Sequence, residues 1–416
     1  MNSIVELAPA HVSVPIYWSL PGPVKFLAEL IQAFDSTQAL VVRIENPEIT
    51  GVRQTIGDAL RKACHEPERI QFLDVHDGSH IESDIGHHFG RPKLSAMQLA
   101  SWSTPPKTTV VLTPHSSRAR ERCRTFYEEF VAELAGQGGK CIRLILLWNE
   151  GDDPLTPKSP KEFCFRGSLT EDEMHAYVTL RMVGSLGLGT SSLARHLVTE
   201  FAGSDPLLAE ELMALPPDAL LELPNTLARL PPRHGRPPRG VGAISDWLEM
   251  RAQSTAAEDA RKRIEQRYWR ACVRALLPWI EERRMPVIEK LRWSLEDYLF
   301  PTQGKWRKRR PYREERYIEI PIEELEFNDI VSMNHPKNND PFKPLDAEAE
   351  TGLACCRAVK RVRDALAHLR APAAGDIREM VRLLDALLLG APVCSAVAPA
   401  ASTAHLIDSA RDETGC

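Results

Sequence analysis

The chain has no apolar run long enough to span a membrane, no CxxC pair, and no glycine-rich loop that ends in lysine. Each absence removes a class of protein. Without the apolar run there is no membrane-spanning helix. The nine cysteines, at 64, 123, 141, 164, 272, 355, 356, 394 and 416, have no histidine at zinc-finger spacing. A zinc ribbon or finger is therefore excluded, and reduced thiols of an intracellular protein are expected. The N-terminus lacks the basic flank and cleavage pattern of a secretory signal, so a cytoplasmic protein is expected. A formal charge of -5 gives the chain as a whole no attraction to nucleic acid, and any basic surface must be local.

What is present is ample apolar residue, 43% of the 416 positions, enough for two or three domains with real cores. The first 150 residues alternate strand-like and helix-like stretches. Helical periodicity at 23–34, 51–64 and 116–135 is interleaved with β-branched or apolar runs at 40–44, 70–75, 108–112 and 142–147. That order predicts a three-layer α/β domain with a mainly parallel sheet.

Such domains often hold nucleotides, so a phosphate loop is sought after the first strand. The residues there, Ile44 to Gly51, include Glu45 and Glu48 and no Lys-Ser/Thr pair. Acids at that position repel an anion. Gly184 to Ser191 has the glycine spacing of a Walker A loop, with Gly184 and Gly189 in place, Thr190 where lysine belongs, and Ser191 after it. It follows a helix expected over 171–182 and opened by Thr170, and a tight helix-to-helix turn is the default. The element order resembles the nucleotide-binding core of AAA+ and STAND ATPases, and 170–230 resembles their helical lid. The resemblance implies an ATPase-like domain over 1–150 and a lid-like region over 151–230, without the catalytic signatures. Asp74, at the end of a strand, has no phosphate loop to complete. His80, Glu82, Asp84, His87 and His88 form the densest patch of potential metal ligands, but the segment from Gly78 to Pro92 reads as a solvated polar loop, and no metal site or cofactor is assigned.

Short helices are expected at 193–201, 206–214 and 218–229. The proline, glycine and arginine run from Pro231 to Gly240 cannot sustain a helix or central strand, so 231–245 is a linker. Beyond it, an all-α bundle is expected over 246–390. A helix at 256–284 should kink or end at Pro278, a second runs over 286–300, and two more close the region at 347–370 and 375–389. The tail, 391–416, is rich in Ala and Pro and is expected to be disordered.

Between these helices lies the most basic run of the chain, which includes Lys305, Arg307, Lys308, Arg309 and Arg310 with Trp306 and Tyr312 interleaved. Over 261–316 there are 17 Lys or Arg against 8 Asp or Glu, a local charge of +9 in an acidic chain. That pattern suits phosphate backbones and base stacking, and it equally suits a solvated basic loop.

The last-but-one helix carries Arg363-Asp364-Ala365-Leu366-Ala367-His368. With 13 histidines in 416 residues, each arginine has about a 3% chance of a histidine five places on. Arg229 and His234 make the same match in the linker, so spacing alone decides nothing. Position in a late helix of a four-helix region is what distinguishes Arg363. Four helices with a late Arg-x4-His resemble the HEPN superfamily, which includes many RNA-cleaving toxins; Asp364 stands where the family often has Asn.

Metal-free RNA cleavage needs a base for the 2′-hydroxyl, an acid for the leaving oxygen, and positive charge on the phosphorane. His368 can be base or acid near neutral pH. Arg363 can clamp phosphate with two donors. Residues five apart lie about 140° round a helix, so the pair cannot converge from one regular helix. The resemblance implies a homodimer whose two motifs face one cleft. Asp364, four residues from His368, shares its face and can orient the imidazole. Arg357, Lys360, Arg361 and Arg370 would add phosphate contacts.

The resulting expectation is an RNA-cleaving effector in a toxin or anti-phage defence role, controlled by a degenerate ATPase-like domain, with RNA, a second copy and a regulatory protein as partners. The rivals are a non-catalytic HEPN-like module that dimerises or binds a nucleotide, and an ATP-dependent switch at 184–191.

Overall fold

The computed structural model describes residues 12–45, 49, 51–64, 69–102, 108–134, 142–149, 161–182, 188–227, 255–309, 317–338 and 340–390. The described residues form two compact units. One comprises those up to Leu276 with Leu369–Ala371, and the other those from Leu277 to His368 and from Pro372 onward.

The first unit is built on a five-stranded sheet. Its strands are β1 (Ala39–Ile44), β2 (Ile70–Val75), β3 (Thr109–Pro114), β4 (Arg143–Asn149) and β5 (Glu162–Phe165), in the order β2-β3-β4-β1-β5. Every pairing is parallel, with Val41 opposite Leu146 and Val111 opposite Ile145. Parallel strands need both faces covered, and the sequences obey this. On β1, Leu40, Val42 and Ile44 are buried on one side while Ala39 and Val41 are buried on the other.

The helices preceding and within this region are α1 (Val14–Tyr17), α2 (Pro21–Ser36), α3 (Val52–Ala63), α4 (Ile81–His88), α5 (Ala96–Ser101) and α6 (Ser117–Leu134). One core joins alternate residues of β1, β3 and β4 (Val41, Val110, Leu112, Leu144, Leu146) to Ile85 of α4, Leu99 of α5 and Phe130 of α6. Two sequence expectations change here. Strand β5 lies beyond position 150, where the α/β region was expected to close, and it adds to the sheet beside β1. The segment expected as a loop between Gly78 and Pro92 contains α4. Ile81 and Ile85, four apart, supply its buried stripe, and Gly86 lets the chain turn back, since a Cβ there would lie 2.8 Å from the Lys93 backbone.

Four further helices follow in the first unit: α7 (Glu171–Arg181), α8 (Leu188–Ala202), α9 (Pro206–Met213) and α10 (Pro217–Leu221), with the short α11 (Leu223–Leu227) after them. Thr170 opens α7 as expected. Its hydroxyl accepts from the Glu173 N–H at 3.3 Å, and the Glu173 carboxylate accepts from the Thr170 N–H at 2.9 Å.

The helix α12 runs unbroken from Thr255 to Leu299, 45 residues with Pro278 and Pro286 inside it. The helix therefore does not end at Pro278, one of the two outcomes expected there, and the two helices expected at 256–284 and 286–300 are one. A proline inside a helix costs roughly 3 kcal/mol. Trp279, Ile280, Val287 and Ile288, which flank the two prolines, are all buried, and each such side chain contributes about 1.5–3 kcal/mol, enough to offset that cost.

The second unit, in addition to the end of α12, is mostly helical. It contains α13 (Phe327–Met333), which was not expected, and then α14 (Ala347–Ala367) and α15 (Ala374–Leu389), close to the expected positions. Helix α14 buries Leu353, Cys356, Val359, Val362 and Leu366 at helical spacing, and Asp346 caps it by accepting from the Ala349 N–H at 2.7 Å. The basic run, by contrast, is not all loop. Strand β6 (Lys305–Arg309) pairs antiparallel with β7 (Tyr317–Pro321), which puts Arg307 opposite Glu319.

Candidate functional site

The expected Arg-x4-His pair lies on the last turns of α14. Val362 and Leu366 are buried and fix which face points outward, leaving Arg363 and Asp364 half-buried and His368 exposed. His368 ends the helix, its N–H donating to the Asp364 carbonyl at 3.1 Å, and Leu369 follows in a left-handed conformation with φ +56°. The cationic end of Arg363 lies 3.2 Å from Glu326, the residue that precedes α13. Asp364 takes a hydrogen bond from Lys360, one turn back, rather than engaging the imidazole as expected. Arg361 donates to Asp376 at 3.0 Å and also to Glu379, both on α15. Arg357 donates to the Asn334 side-chain oxygen, and Arg370 is exposed. The structure thus gathers the expected motif in one exposed corner, but partners five of its six cationic or acidic members internally.

The basic hairpin is treated the same way. Lys305 and Arg307 both reach Glu319, at 3.4 and 3.2 Å. Lys308 lies 2.6 Å from Asp329, whose carboxylate side chain is only 2% exposed. A buried carboxylate needs such a partner. Arg309 pairs in register with Tyr317, while its side chain and the whole of Arg310 lie outside the described residues.

Gly184 lies outside the described residues. Gly189, Thr190 and Ser191 fall in the first turn of α8, and their side chains also lie outside them, as do the linker 231–245 and the tail 391–416. The expected polar patch around His87 and His88 is spread along α4, with Glu82 paired to Lys93 at 2.5 Å. Among the described residues no three of His, Cys, Asp and Glu come together in a way that could hold a metal ion.

One cluster went unanticipated, at the carboxyl ends of β2 and β3. His115 Nε2 lies 2.7 Å from Asp74, at the end of β2, and its ring stacks on His76 with centroids 4.6 Å apart. Arg53, on the first turn of α3, places one nitrogen 3.4 and 3.5 Å from the two ring nitrogens of His115. Below them Arg122 donates to the carbonyls of His76 and Ser79, and Ser116 donates to Asp77. Open parallel sheets present ligands at this edge. Asp74, noted in the sequence only for what it lacked, is an acid held by an imidazole. Nothing in the sequence brings Asp74 and His115 together; only the in-register pairing of β2 with β3 does.

A second polar centre lies among α7 and α9. Arg181 donates through two nitrogens to Glu210, each at 2.8 Å, and Tyr177 donates to the same carboxylate. Burial pushes the Tyr177 hydroxyl well above its ordinary pKa, so it stays a donor. No protein-family model matches the chain, and no curated protein matches it.

Proposed function

We propose that the protein is an RNA-cleaving effector of HEPN type, in which His368 moves the proton and Arg363 binds the scissile phosphate across a homodimer cleft. One observation carries the reading. His368 stands exposed at the end of α14, one turn beyond a half-buried Arg363 that Glu326 already orients. On this reading RNA must displace Glu326 from Arg363, and an exposed ion pair of that kind is weak, worth about 1 kcal/mol at most. His368 then takes the proton of the 2′-hydroxyl as that oxygen attacks phosphorus, and the partner's copy protonates the departing 5′-oxygen. The α-helical second unit serves as the cleaving bundle. The sheet unit serves as the ATPase-like controller, with α7–α11 as its lid-like part, and the setting is a cytoplasmic toxin or defence system answering to a regulatory protein.

The test is expression of wild type beside His368→Ala and Arg363→Ala, with growth and RNA integrity scored together. Loss of toxicity and of cleavage in both, with unchanged melting, supports the reading. Cleavage retained by the purified double variant in EDTA sinks it.

A second reading has its own observation. Arg361 and Arg363 are both held by acids of neighbouring helices, as in a surface network that only stabilises the helical unit. Under that reading the second unit is a non-catalytic interaction module, and His368→Ala behaves as wild type. A nucleotide switch at 184–191 is distinguished by binding of labelled ATP that Gly189→Asp abolishes.

A further inference from the structure

Within the first unit a cavity of about 440 Å³ opens among α7, α8 and the α12 residues up to Leu276. That volume lies in the range of small-molecule sites. Arg267, Arg270 and Arg274 line it, spaced three and four apart and so on one helix face. Facing them are Glu200 and Glu171. Arg274 lies 2.7 Å from Glu200 and 2.8 Å from Glu171, Arg270 lies 3.3 Å from Glu200, and Arg267 donates to the Glu200 carbonyl at 3.1 Å. Each guanidinium has five N–H donors, and those of Arg270 and Arg274 together exceed what the two carboxylates can accept.

Two further observations mark the cavity as a ligand site rather than a closed ion-pair network. Thr199, which lines it, is 6% exposed, and its hydroxyl has no hydrogen-bond partner. Buried hydroxyls are nearly always paired, so this donor is held ready for something. His196, one turn earlier on α8, has its imidazole pushed below the usual range by burial, with His175, Arg274 and Arg195 adding positive charge.

The two carboxylates are not equivalent. Glu200 is nearly buried and belongs to the wall, whereas the Glu171 side chain is 71% exposed. Exposed pairs are worth little, so an incoming anion can replace Glu171. With Glu171 turned away, Arg270 and Arg274 against Glu200 leave a charge of +1. We propose that this cavity binds a phosphate monoester, the dianion resting on Arg270 and Arg274 where Glu171 now sits and accepting from the Thr199 hydroxyl. A phosphate offers three oxygens to guanidinium forks and hydroxyl at once, where a carboxylate offers two. This site is independent of the RNA-cleaving reading and stands or falls without it.

The experiment is calorimetric titration of the full chain with inorganic phosphate, AMP and ribose 5-phosphate as separate probes. Saturable binding is expected, weakened at least tenfold by Arg274→Gln and tightened severalfold by Glu171→Gln, which removes the competing acid. Thr199→Val weakens it severalfold. AMP binding more tightly than ribose 5-phosphate assigns a nucleotide, and equal affinities assign a sugar phosphate. Since Glu171 is exposed, its variant tests the site without threatening the fold. No saturable heat with any probe at millimolar concentration, or an affinity that Glu171→Gln and Arg274→Gln both leave unchanged, overturns the proposal.

Discussion

The sheet edge of the first unit and the end of α14 in the second carry similar side chains, histidine beside aspartate and arginine, yet they are assembled in opposite ways. At the sheet edge, Asp74 and His115 are 41 residues apart and Arg53 and His115 are 62 apart. On α14, Lys360 and Asp364 are four apart, and Arg361 meets Asp376 and Glu379 across one short connection. Local pairing neutralises a charged helix face at little entropic expense. Long-range pairing needs the whole sheet to bring its members together, so the edge cluster exists only in the folded protein. A group of charges assembled that way is coupled to fold integrity, while the Lys360 and Arg361 pairs persist in any state that keeps α14 and α15, and only Arg357 and Arg363 reach farther back, to Asn334 and Glu326.

The contrast can be broken or sharpened by substitution, beginning with the largest effect. Leu146→Ala removes a fully buried side chain from β4 at the centre of the sheet and should cost about 2–5 kcal/mol in a denaturant melt. It should also scatter the edge cluster, visible as loss of the His76–His115 ring-current shifts, while the α14 helix signals survive. A melt unchanged by this substitution would remove the sheet from its organising role.

Next is Lys308→Met, which leaves the Asp329 carboxylate buried without its partner. Breaking fully enclosed pairs costs about 3–5 kcal/mol, and since Lys308 is itself 42% exposed, about 2 kcal/mol is expected. Denaturant midpoints of the single variant and of Lys308→Met with Asp329→Leu should show the double variant recovering part of the loss.

The third effect depends on pH and lies at Glu173. Its burial alone would raise the carboxyl pKa, but hydrogen bonds from Thr170 and the Gly22 N–H outweigh burial and hold it below the usual carboxylate range. A depressed carboxyl stabilises the fold above its unfolded pKa, and that contribution fades as pH falls through the folded pKa. Melting temperature should therefore drop more steeply below about pH 5 in wild type than in Glu173→Gln. Equal slopes would show that Glu173 is not linked to folding. The smallest effect is expected from Asp74→Asn. The side chain is 67% exposed, and pairs of this kind contribute roughly 0–1 kcal/mol. A larger loss would make the edge cluster structural and reverse the comparison.

Much of the architecture was legible in the sequence because burial writes itself into local pattern. The apolar runs that became β1 to β4, and the spacing of Val362 and Leu366 on α14, could only pack one way. Three features were not legible, each because a distant contact decided it. Helix α4 has only Ile81 and Ile85 to mark its buried face, and its polar remainder reads as loop. Helix α12 passes through two prolines because the side chains beside them are buried, which no local propensity records. Strand β6 consists of four cations and one tryptophan, a sequence that forms a strand because Glu319 on β7 waits opposite. At the candidate site the sequence supplied which residues carry chemistry. It could not show that Glu326 and Lys360 already engage two of them.

Leu369, directly after His368, holds φ +56° although it has a Cβ and its side chain is 73% exposed. A leucine in that conformation is strained by about 1–2 kcal/mol, and no burial of its own compensates. Glycine would relax the backbone there and stop α14 equally well. It would also let the peptide after His368 swing through a wide arc, where leucine permits a narrow one. The strained leucine therefore narrows the backbone conformations open to the residue beside His368, at a small cost in stability.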